Sequence, residues 1–217
     1  MSLQIKKMIK KYRHISFDLD GTLVHTFPEY RYRLLSVVTK ILGGKVPANR
    51  DIDRFWFENA RDEIILKDFG FKVDEFWEVF RKMDDPKERA LNTDAYPDSE
   101  ITLRKIKEAG KIVSIITGVP HIIAEFEIKK LNEAPVDYYL SIFDRGFEQK
   151  PAPESFRFVL NELETKPEET VYIGNSNEDA YFAKNAGVDF IYLERRQHEF
   201  DSKDWIIETI HSLEELF

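Results

Sequence analysis

The stretch HISFDLDGTLVHT, residues 14–26, is the part of this chain from which its fold can be inferred. An apolar run ends at two carboxylates, Asp18 and Asp20, and Gly21 follows at once. Strand alternation would place both carboxylates on the same side, about 6 to 7 Å apart along the backbone, and Gly21 permits a sharp turn. The stretch therefore predicts a buried strand with a polar site at its carboxyl end.

Four later segments are also short apolar runs rich in β-branched or aromatic residues, as expected of buried strands. They are IVSIIT (112–117), VDYYLSIF (136–143), TVYIG (170–174) and VDFIYL (188–193). Between them lie segments with helical spacing of apolar residues, such as SEITLRKIKEAG (99–110) and PESFRFVLNELE (153–164). Alternating strands and helices predict an α/β fold with a Rossmann-like parallel sheet wound by right-handed crossovers.

Residues 27–93 break this alternation, because they contain no convincing strand. Three helical patterns occur there: one over 28–42, one from Asp51 through Ile65, and one following Asp74 as far as Met83. Their aromatic residues have the three-to-four spacing of a small helical core. We therefore expect an inserted α-helical cap domain, 27–93, above a core domain formed by residues 1–26 and 94–217.

Charge and composition exclude several classes of function. The chain has 32 basic and 40 acidic residues and a net charge of −8, which argues against general binding to nucleic acid or to an anionic membrane. No apolar run approaches the roughly 18 residues needed to span a bilayer, and no secretory stretch is visible, so we expect a cytoplasmic protein. With no cysteine and no paired histidine spacing, any metal would be held mostly by oxygen.

The polar residues that follow the predicted strands are candidates for a binding site, because ligands of an open parallel sheet collect beyond the carboxyl ends of its strands. They come from four strand ends and are Asp18, Asp20, Gly21 and Thr22; Thr117 and Gly118; Lys150 in a loop stiffened by Pro151 and Pro153; and Asn175 and Asp179. Carboxylates can hold a hard divalent cation such as Mg²⁺, and a lysine can neutralise an anion. The anion that fits this set is a phosphate.

This arrangement suggests phosphoryl transfer in two steps. One carboxylate acting as nucleophile would form an aspartyl-phosphate. A second carboxylate two residues further along could protonate the leaving alkoxide and then deprotonate the attacking water.

The segments FDLDGTL, IITG, QKPAPESF and IGNSNEDAYFAKNAG resemble the four motifs of the haloacid dehalogenase (HAD) superfamily, in the family's order. YPDSEITLRKIKEAG and KPAPESF are similar to its phosphoglycolate phosphatase-like branch, which carries a helical cap after the first motif. The resemblance implies that Asp18 is nucleophile and metal ligand, and that Asp20 is acid and base with its backbone carbonyl on Mg²⁺. It further implies that Thr117 and Lys150 hold the phosphoryl group and that Asp179 belongs to the metal shell.

The sequence departs from the family pattern at two positions. The fourth motif usually begins Gly-Asp, but here it begins Gly174-Asn175, and Asn175 is either an uncharged metal ligand or the cap of the next helix. The commoner run in this branch is DGTLVD, whereas here residues 20–25 read DGTLVH and end at His25, at the entry to the predicted cap. We expect it to contact the substrate, together with Gly21, Thr22 and Gly118.

The leading functional prediction is a Mg²⁺-dependent phosphatase, monomer or homodimer, acting on a small phosphorylated metabolite. A phosphomutase would use the same groups but return the phosphoryl group to a second hydroxyl of the substrate. A non-catalytic module that senses phosphate or binds a partner protein is the third hypothesis, favoured only by Asn175.

Overall fold

The computed structural model describes residues 7–58, 60–197, 200–201 and 203–217. Within these residues the strands are β1 (His14–Phe17), β2 (Val24–Thr26), β3 (Thr93–Ala95), β4 (Ile112–Thr117), β5 (Tyr138–Ser141), β6 (Thr170–Gly174), β7 (Asp189–Leu193) and β8 (Ile206–Ile210). The helices are α1 (Lys7–Lys10), α2 (Pro28–Ile41), α3 (Asn49–Phe57), α4 (Arg61–Glu63), α5 (Val73–Met83), α6 (Pro86–Leu91), α7 (Ser99–Glu108), α8 (His121–Lys129), α9 (Glu154–Glu162) and α10 (Asn177–Ala186), and a π-helical turn, Ile64–Asp68, continues α4. No helix of this part of the chain is both long and apolar enough to cross a membrane.

Six strands form one parallel sheet in the order β5-β4-β1-β6-β7-β8. The predicted α/β fold with a parallel core sheet is therefore confirmed, and all five predicted strands are present. β8 was not predicted, since its residues IIETI are only partly buried until Ile210 and lack a continuous apolar run. β1 lies in the middle of the sheet, so the residues that follow it are flanked by the ends of β4 and β6.

Each face of the sheet carries its own apolar layer because strand residues alternate between the two sides. On one face, the β1 residues Ile15 and Phe17 pack with α7 residues Leu103 and Ile106 and with the C-terminal Leu216. The other face holds a second layer, built from residues of β4 to β7 and of the helices α9 and α10: Ile116, Leu140, Phe156, Tyr172, Phe182 and Phe190. Helices thus cover both faces of the sheet, and only the strand ends remain for a site.

A third apolar cluster lies in the helical region between β2 and β3. Its buried residues come from α2, α3, the π-helical turn and α5, and include Leu34, Leu35, Phe55, Ile65, Phe76 and Phe80. The aromatic series of this region therefore forms a core, as its spacing predicts. The division of the chain into a core domain and a 27–93 cap domain stays a prediction.

Two details of the helical region differ from the predicted pattern. The second helix is not continuous: Glu58 has extended backbone and ends α3, and a new helix begins at Arg61. Helix α6 was not predicted, although Asp85-Pro86 is a typical helix start: the Asp85 carboxylate accepts hydrogen bonds from the amides of Lys87 (3.0 Å) and Glu88 (2.8 Å).

The chain enters and leaves the helical region through a two-stranded antiparallel ribbon, β2 with β3. His25 lies opposite Asp94, and Thr26 lies opposite Thr93 with their hydroxyls 3.1 Å apart. These two short strands were not predicted, because three residues are too few to show a pattern. The ribbon brings both connections to the carboxyl end of β1.

Candidate active site

Asp18 and Lys150 form a buried ion pair at the carboxyl end of β1. The Lys150 ammonium donates to Asp18 Oδ1 at 2.7 Å, to Asp179 Oδ1 at 2.9 Å and to the hydroxyl of Tyr172 at 2.7 Å. Burial raises the pKa of Asp18 to about 7, with Lys150 opposing the shift. Burial also disfavours the charged form of Lys150, but Asp179 and Asp18 outweigh it and hold the pKa of Lys150 above its usual value. The lysine predicted to neutralise an anion is thus already held by two carboxylates.

The turn from β6 into α10 fixes Asp179. The second carboxylate oxygen of Asp179 accepts from the amides of Asn175 and Ser176, both at 3.2 Å, and from the Ser176 hydroxyl at 2.8 Å. Gly174 is required here, because a Cβ at this position would lie 2.6 Å from the Asp179 carboxyl carbon. Ser176 is the N-cap of α10, so the interpretation of Asn175 as the helix cap is wrong.

Thr22 links Asp18 to Asn175. Its hydroxyl lies 3.3 Å from Asp18 Oδ2 and 3.2 Å from Asn175 Oδ1, and its single proton can be donated to either oxygen. Gly21 allows this close approach: its φ is +90°, and a Cβ there would lie 2.4 Å from Asn175 Nδ2. The structure therefore brings together Asp18, Thr22, Lys150, Asn175 and Asp179, which come from three of the four predicted strand ends.

Asp20 faces a different set of partners. Its Oδ2 accepts a hydrogen bond from Arg89 at 2.7 Å and from the indole nitrogen of Trp56 at 3.2 Å. The expectation that alternation sets the positions of Asp18 and Asp20 is wrong, because β1 ends at Phe17 and both carboxylates lie in the loop beyond it. Asp20 points toward the helical region, while Asp18 points toward Lys150.

Thr117 and Gly118 end the neighbouring strand β4. The Thr117 side chain is buried, and its hydroxyl accepts from the amide of Val119 at 3.2 Å. A Cβ on Gly118 would lie 3.0 Å from Oε1 of Gln149, the residue before Lys150. The two residues are therefore at the predicted edge, and their contact with a phosphoryl group stays a prediction.

His25 lies beside the site in β2 and contacts aromatic rings. Its ring centroid is 4.7 Å from that of Tyr96 and 5.4 Å from that of Phe27. Burial lowers the pKa of His25, although Asp94 and Asp20 oppose the shift, so the neutral ring is favoured. The predicted substrate contact of His25 is not tested by this packing.

A hydrogen-bond chain leads from that aromatic group back to Asn175. Asn175 Nδ2 donates to Gln197 Oε1 at 2.6 Å, and Gln197 Nε2 donates to the Tyr96 hydroxyl at 2.5 Å. The Arg195 guanidinium stacks 3.9 Å from the centroid of the Tyr96 ring. These contacts orient the side-chain amide of Asn175 with its oxygen toward the Thr22 hydroxyl.

The oxygen donors at this edge suit a hard cation. Asp18 Oδ2 and Asn175 Oδ1 are both oxygen ligands of the kind that Mg²⁺ prefers, and both lie within hydrogen-bonding distance of the Thr22 hydroxyl. Both Asp179 oxygens are already occupied by protein donors. No group of three or more His, Cys, Asp or Glu side chains in the described residues could hold a metal ion. A Mg²⁺ site here therefore needs Asn175 or a main-chain carbonyl as well as Asp18.

Sequence reasoning missed Arg89 and Trp56. Trp56 was interpreted as a core residue only, and it is 8% exposed within the helical cluster, yet its indole nitrogen reaches Asp20. Arg89 lies in α6, a helix that was not predicted. The one available signal was the helix start at Asp85-Pro86, which places Arg89 one turn into α6.

A comparison with known protein families identifies the class of protein to which this fold belongs. The sequence matches the haloacid dehalogenase-like hydrolase family over residues 15–193, and the chain belongs to that family. The family resemblance inferred from its four motifs is thereby confirmed.

The individual relatives narrow the comparison to phosphatases. Phosphoglycolate phosphatase 1 of Pseudomonas aeruginosa is 27% identical over 189 residues, covering 81% of this chain and 67% of that protein. Glyceraldehyde 3-phosphate phosphatase of Pyrococcus furiosus is 27% identical over 206 residues, covering 85% and 82%. A solved structure of a Bacteroides fragilis protein assigned to the haloacid dehalogenase-like hydrolases has a TM-score of 0.82 and 24% identity, covering 95% of this chain and all of that one. The chain is therefore an enzyme whose sequence relatives are phosphatases, and the structural likeness shows the shared fold.

Proposed function

We propose that this protein is a Mg²⁺-dependent phosphatase that hydrolyses a small phosphate monoester through an aspartyl-phosphate on Asp18. The observation that carries the proposal is the buried contact of Asp18 with Lys150, at 2.7 Å, at the carboxyl end of the central strand. A carboxylate must be ionised to act as a nucleophile. Lys150 supports that form, since its positive charge opposes the effect of burial on Asp18.

In the first half-reaction, an Asp18 oxygen attacks phosphorus as the bond between phosphorus and the ester oxygen breaks. The electron pair of that bond goes to the leaving oxygen, which takes a proton from the Asp20 carboxyl group and departs as an alcohol. In the second half-reaction Asp20 takes a proton from water, the water oxygen attacks phosphorus, and the Asp18 oxygen is released together with free phosphate. Both carboxylates return to their starting states.

Charge around the phosphoryl group would be balanced by Lys150 and a cation. The oxygens that would hold Mg²⁺ are Asp18 Oδ2, Asn175 Oδ1 and the main-chain carbonyl of Asp20. Asp179 would position this group through its hydrogen bonds to Lys150 and to the main-chain amide of Asn175. Bound Mg²⁺ would neutralise the developing negative charge of the phosphoryl oxygens. Thr117 and the backbone of Gly118 would orient those oxygens from the neighbouring strand.

The helical region would act as a cap over the reacting groups. Trp56 and Arg89 both contact Asp20 from this region, so its residues already lie against the predicted acid and base. Exclusion of bulk water favours transfer of the phosphoryl group to Asp18 in the first half-reaction and strengthens the electrostatic contacts in the site. A site covered in this way suits a small substrate, which agrees with the small phosphorylated metabolites named for the two phosphatase relatives.

The proposal is tested by measuring phosphate release from a panel of two- and three-carbon phosphate esters, with Mg²⁺ and with chelator. We expect turnover that requires Mg²⁺ and is lost in Asp18→Asn. Lys107→Met, a change in an exposed ion pair with Asp137, serves as a control and keeps parental turnover. A folded protein that releases no phosphate from any ester would contradict the proposal.

The phosphomutase alternative is separated by the product. A mutase converts a sugar phosphate into its isomer with little free phosphate, and a phosphatase yields free phosphate and the alcohol in equal amounts. Phosphate release and isomer formation should therefore be measured on the same samples.

A further inference from the structure

One guanidinium group joins three acidic side chains from separate parts of the chain. Arg89 uses a different nitrogen for each: Nε lies 3.0 Å from Glu127 in α8, Nη1 lies 3.1 Å from Asp84 after α5, and Nη2 lies 2.7 Å from Asp20 after β1. The Arg89 side chain is only 5% exposed. Burial of so many charges is costly unless each is paired in good geometry, so the position of Arg89 is strongly determined.

Arg89 is held from two sides, by Glu127 and by Asp84. Glu127 is fully buried in the helix layer against the sheet and fixes the guanidinium to the sheet. Asp84 connects the same guanidinium to the helical region, where it also accepts from the Tyr30 hydroxyl at 2.8 Å. Arg89 is therefore placed by both parts of the molecule at once.

The two oxygens of Asp20 have different surroundings. Oδ2 accepts from Arg89 Nη2 and from Trp56 Nε1. Oδ1 is buried and has no hydrogen-bond partner among the described residues. A buried polar atom without a partner is unusual in a folded protein, and it marks Oδ1 as the oxygen left for a ligand.

We propose that Arg89 is a positioning residue that holds Asp20 by Oδ2 and so presents Oδ1 to the leaving oxygen of the substrate. The inference rests on the proposed phosphatase function. The proton on Oδ1 moves to the leaving oxygen while the phosphorus–oxygen bond breaks, and Oδ1 takes a proton back from water in the second half-reaction. Arg89 itself touches neither substrate nor phosphate.

A purely structural role for Arg89 makes a different prediction. If Arg89 only joined α6 to α8, its loss would slow the enzyme equally on all substrates. If it positions the proton donor, its loss matters most where the leaving group needs a proton. An alkoxide needs one, whereas nitrophenolate is a weak base and leaves without it.

The test compares kcat/KM for an alkyl phosphate and for 4-nitrophenyl phosphate, because kcat/KM reports the step in which the leaving group departs. Arg89→Lys keeps the positive charge but cannot place three nitrogens on three acidic side chains. We expect it to lose about 100-fold on the alkyl ester, the lower end of general acid catalysis, and only a few-fold on the nitrophenyl ester. Asp20→Asn should show the same selective loss. Arg33→Lys, in an exposed pair with Glu88, is the matched control and should leave both values unchanged.

Equal losses of Arg89→Lys on the two esters would overturn the inference while leaving the phosphatase function intact. The alkyl ester is the one of the panel that the parent protein hydrolyses fastest; if the parent hydrolyses none of them, the proposed function fails, and the positioning role that rests on it fails too. If Arg89→Lys does not fold, as judged by circular dichroism, Trp56→Phe replaces it, since this change removes the other donor to Oδ2. Trp56→Phe should show a smaller loss with the same dependence on the leaving group, and equal losses would again overturn the inference.

Discussion

Replacing Lys150 by methionine tests whether the charged side chains of the candidate site are buried, because the loss in the free energy of unfolding depends on that burial. The side chain of Lys150 is 4% exposed, and those of its partners Asp18 and Asp179 are 11% and 2% exposed. Removal of the ammonium leaves two carboxylates close together without a counter-charge. Breaking a buried ion pair in this way costs about 3 to 5 kcal/mol. Lys150 also opposes the effect of burial on Asp18, so its removal raises the pKa of Asp18 further, and a pH near 8 makes it costly for Asp18 to relieve the loss by binding a proton.

Lys107 supplies a control with the same substitution and equally short contacts. Its ammonium lies 2.7 and 2.6 Å from the two oxygens of Asp137, but the two side chains are 27% and 34% exposed. Because solvent screens such a pair, its removal costs only about 0 to 1 kcal/mol. The contrast between the two variants therefore depends on burial and not on distance.

The assay is urea denaturation near pH 8 with chelator present, comparing the parent, Lys150→Met and Lys107→Met. We expect Lys150→Met to lower the free energy of unfolding by about 3 to 5 kcal/mol and Lys107→Met by less than about 1 kcal/mol. Equal small losses in both variants would refute the reasoning, because they would show that Lys150 is solvated and does not neutralise Asp18 and Asp179.

Three further predictions concern the surroundings of this pair. Burial raises the pKa of Glu127 from 4.5 to about 8, so the folded protein holds a proton that the unfolded chain releases. The free energy of unfolding should therefore fall as pH rises from about 4.5 to about 8 and then level off. Glu127→Gln should flatten this part of the pH profile measured by urea denaturation, and parallel profiles for parent and variant would contradict the raised pKa of Glu127. Asn175→Asp should lower the Mg²⁺ concentration for half-maximal activity, since aspartate adds a negative charge at the side-chain oxygen beside Thr22. An unchanged Mg²⁺ titration would remove Asn175 from the metal site. Gly21→Ala should lower the free energy of unfolding by about 1 to 3 kcal/mol and reduce activity, because the φ of Gly21 is +90° and an added Cβ would lie 2.4 Å from Asn175 Nδ2. A melting temperature and a turnover rate equal to those of the parent would contradict this prediction.

The sheet and one half of the candidate site could be predicted from the sequence for a definite physical reason. Buried parallel strands are continuous apolar runs, so the segments that became β1, β4, β5, β6 and β7 are visible without any tertiary information. Parallel strands end at the same edge, so polar residues that directly follow them converge. Asp18, Lys150 and Asp179 are hydrogen-bonded together for this reason.

The other half of the site depends on how the helical region packs, which local patterns do not encode. Arg89 and Trp56 lie 69 and 36 positions from Asp20 in the chain. Both look ordinary in sequence: a charged residue in a short helix and an aromatic residue on an apolar face. Their role follows only from the packing of α3 and α6 beside the loop after β1, so the partners of Asp20 required the structure.

The most direct test of the proposed function is to stop the reaction with acid during turnover and locate phosphate on the protein by peptide mass spectrometry. The proposal predicts one added phosphoryl group on the peptide that contains Asp18, in the presence of substrate and Mg²⁺, and none in Asp18→Asn or with chelator. Continued phosphate release by Asp18→Asn at the parental rate, or a phosphoryl group found on another residue, would contradict it.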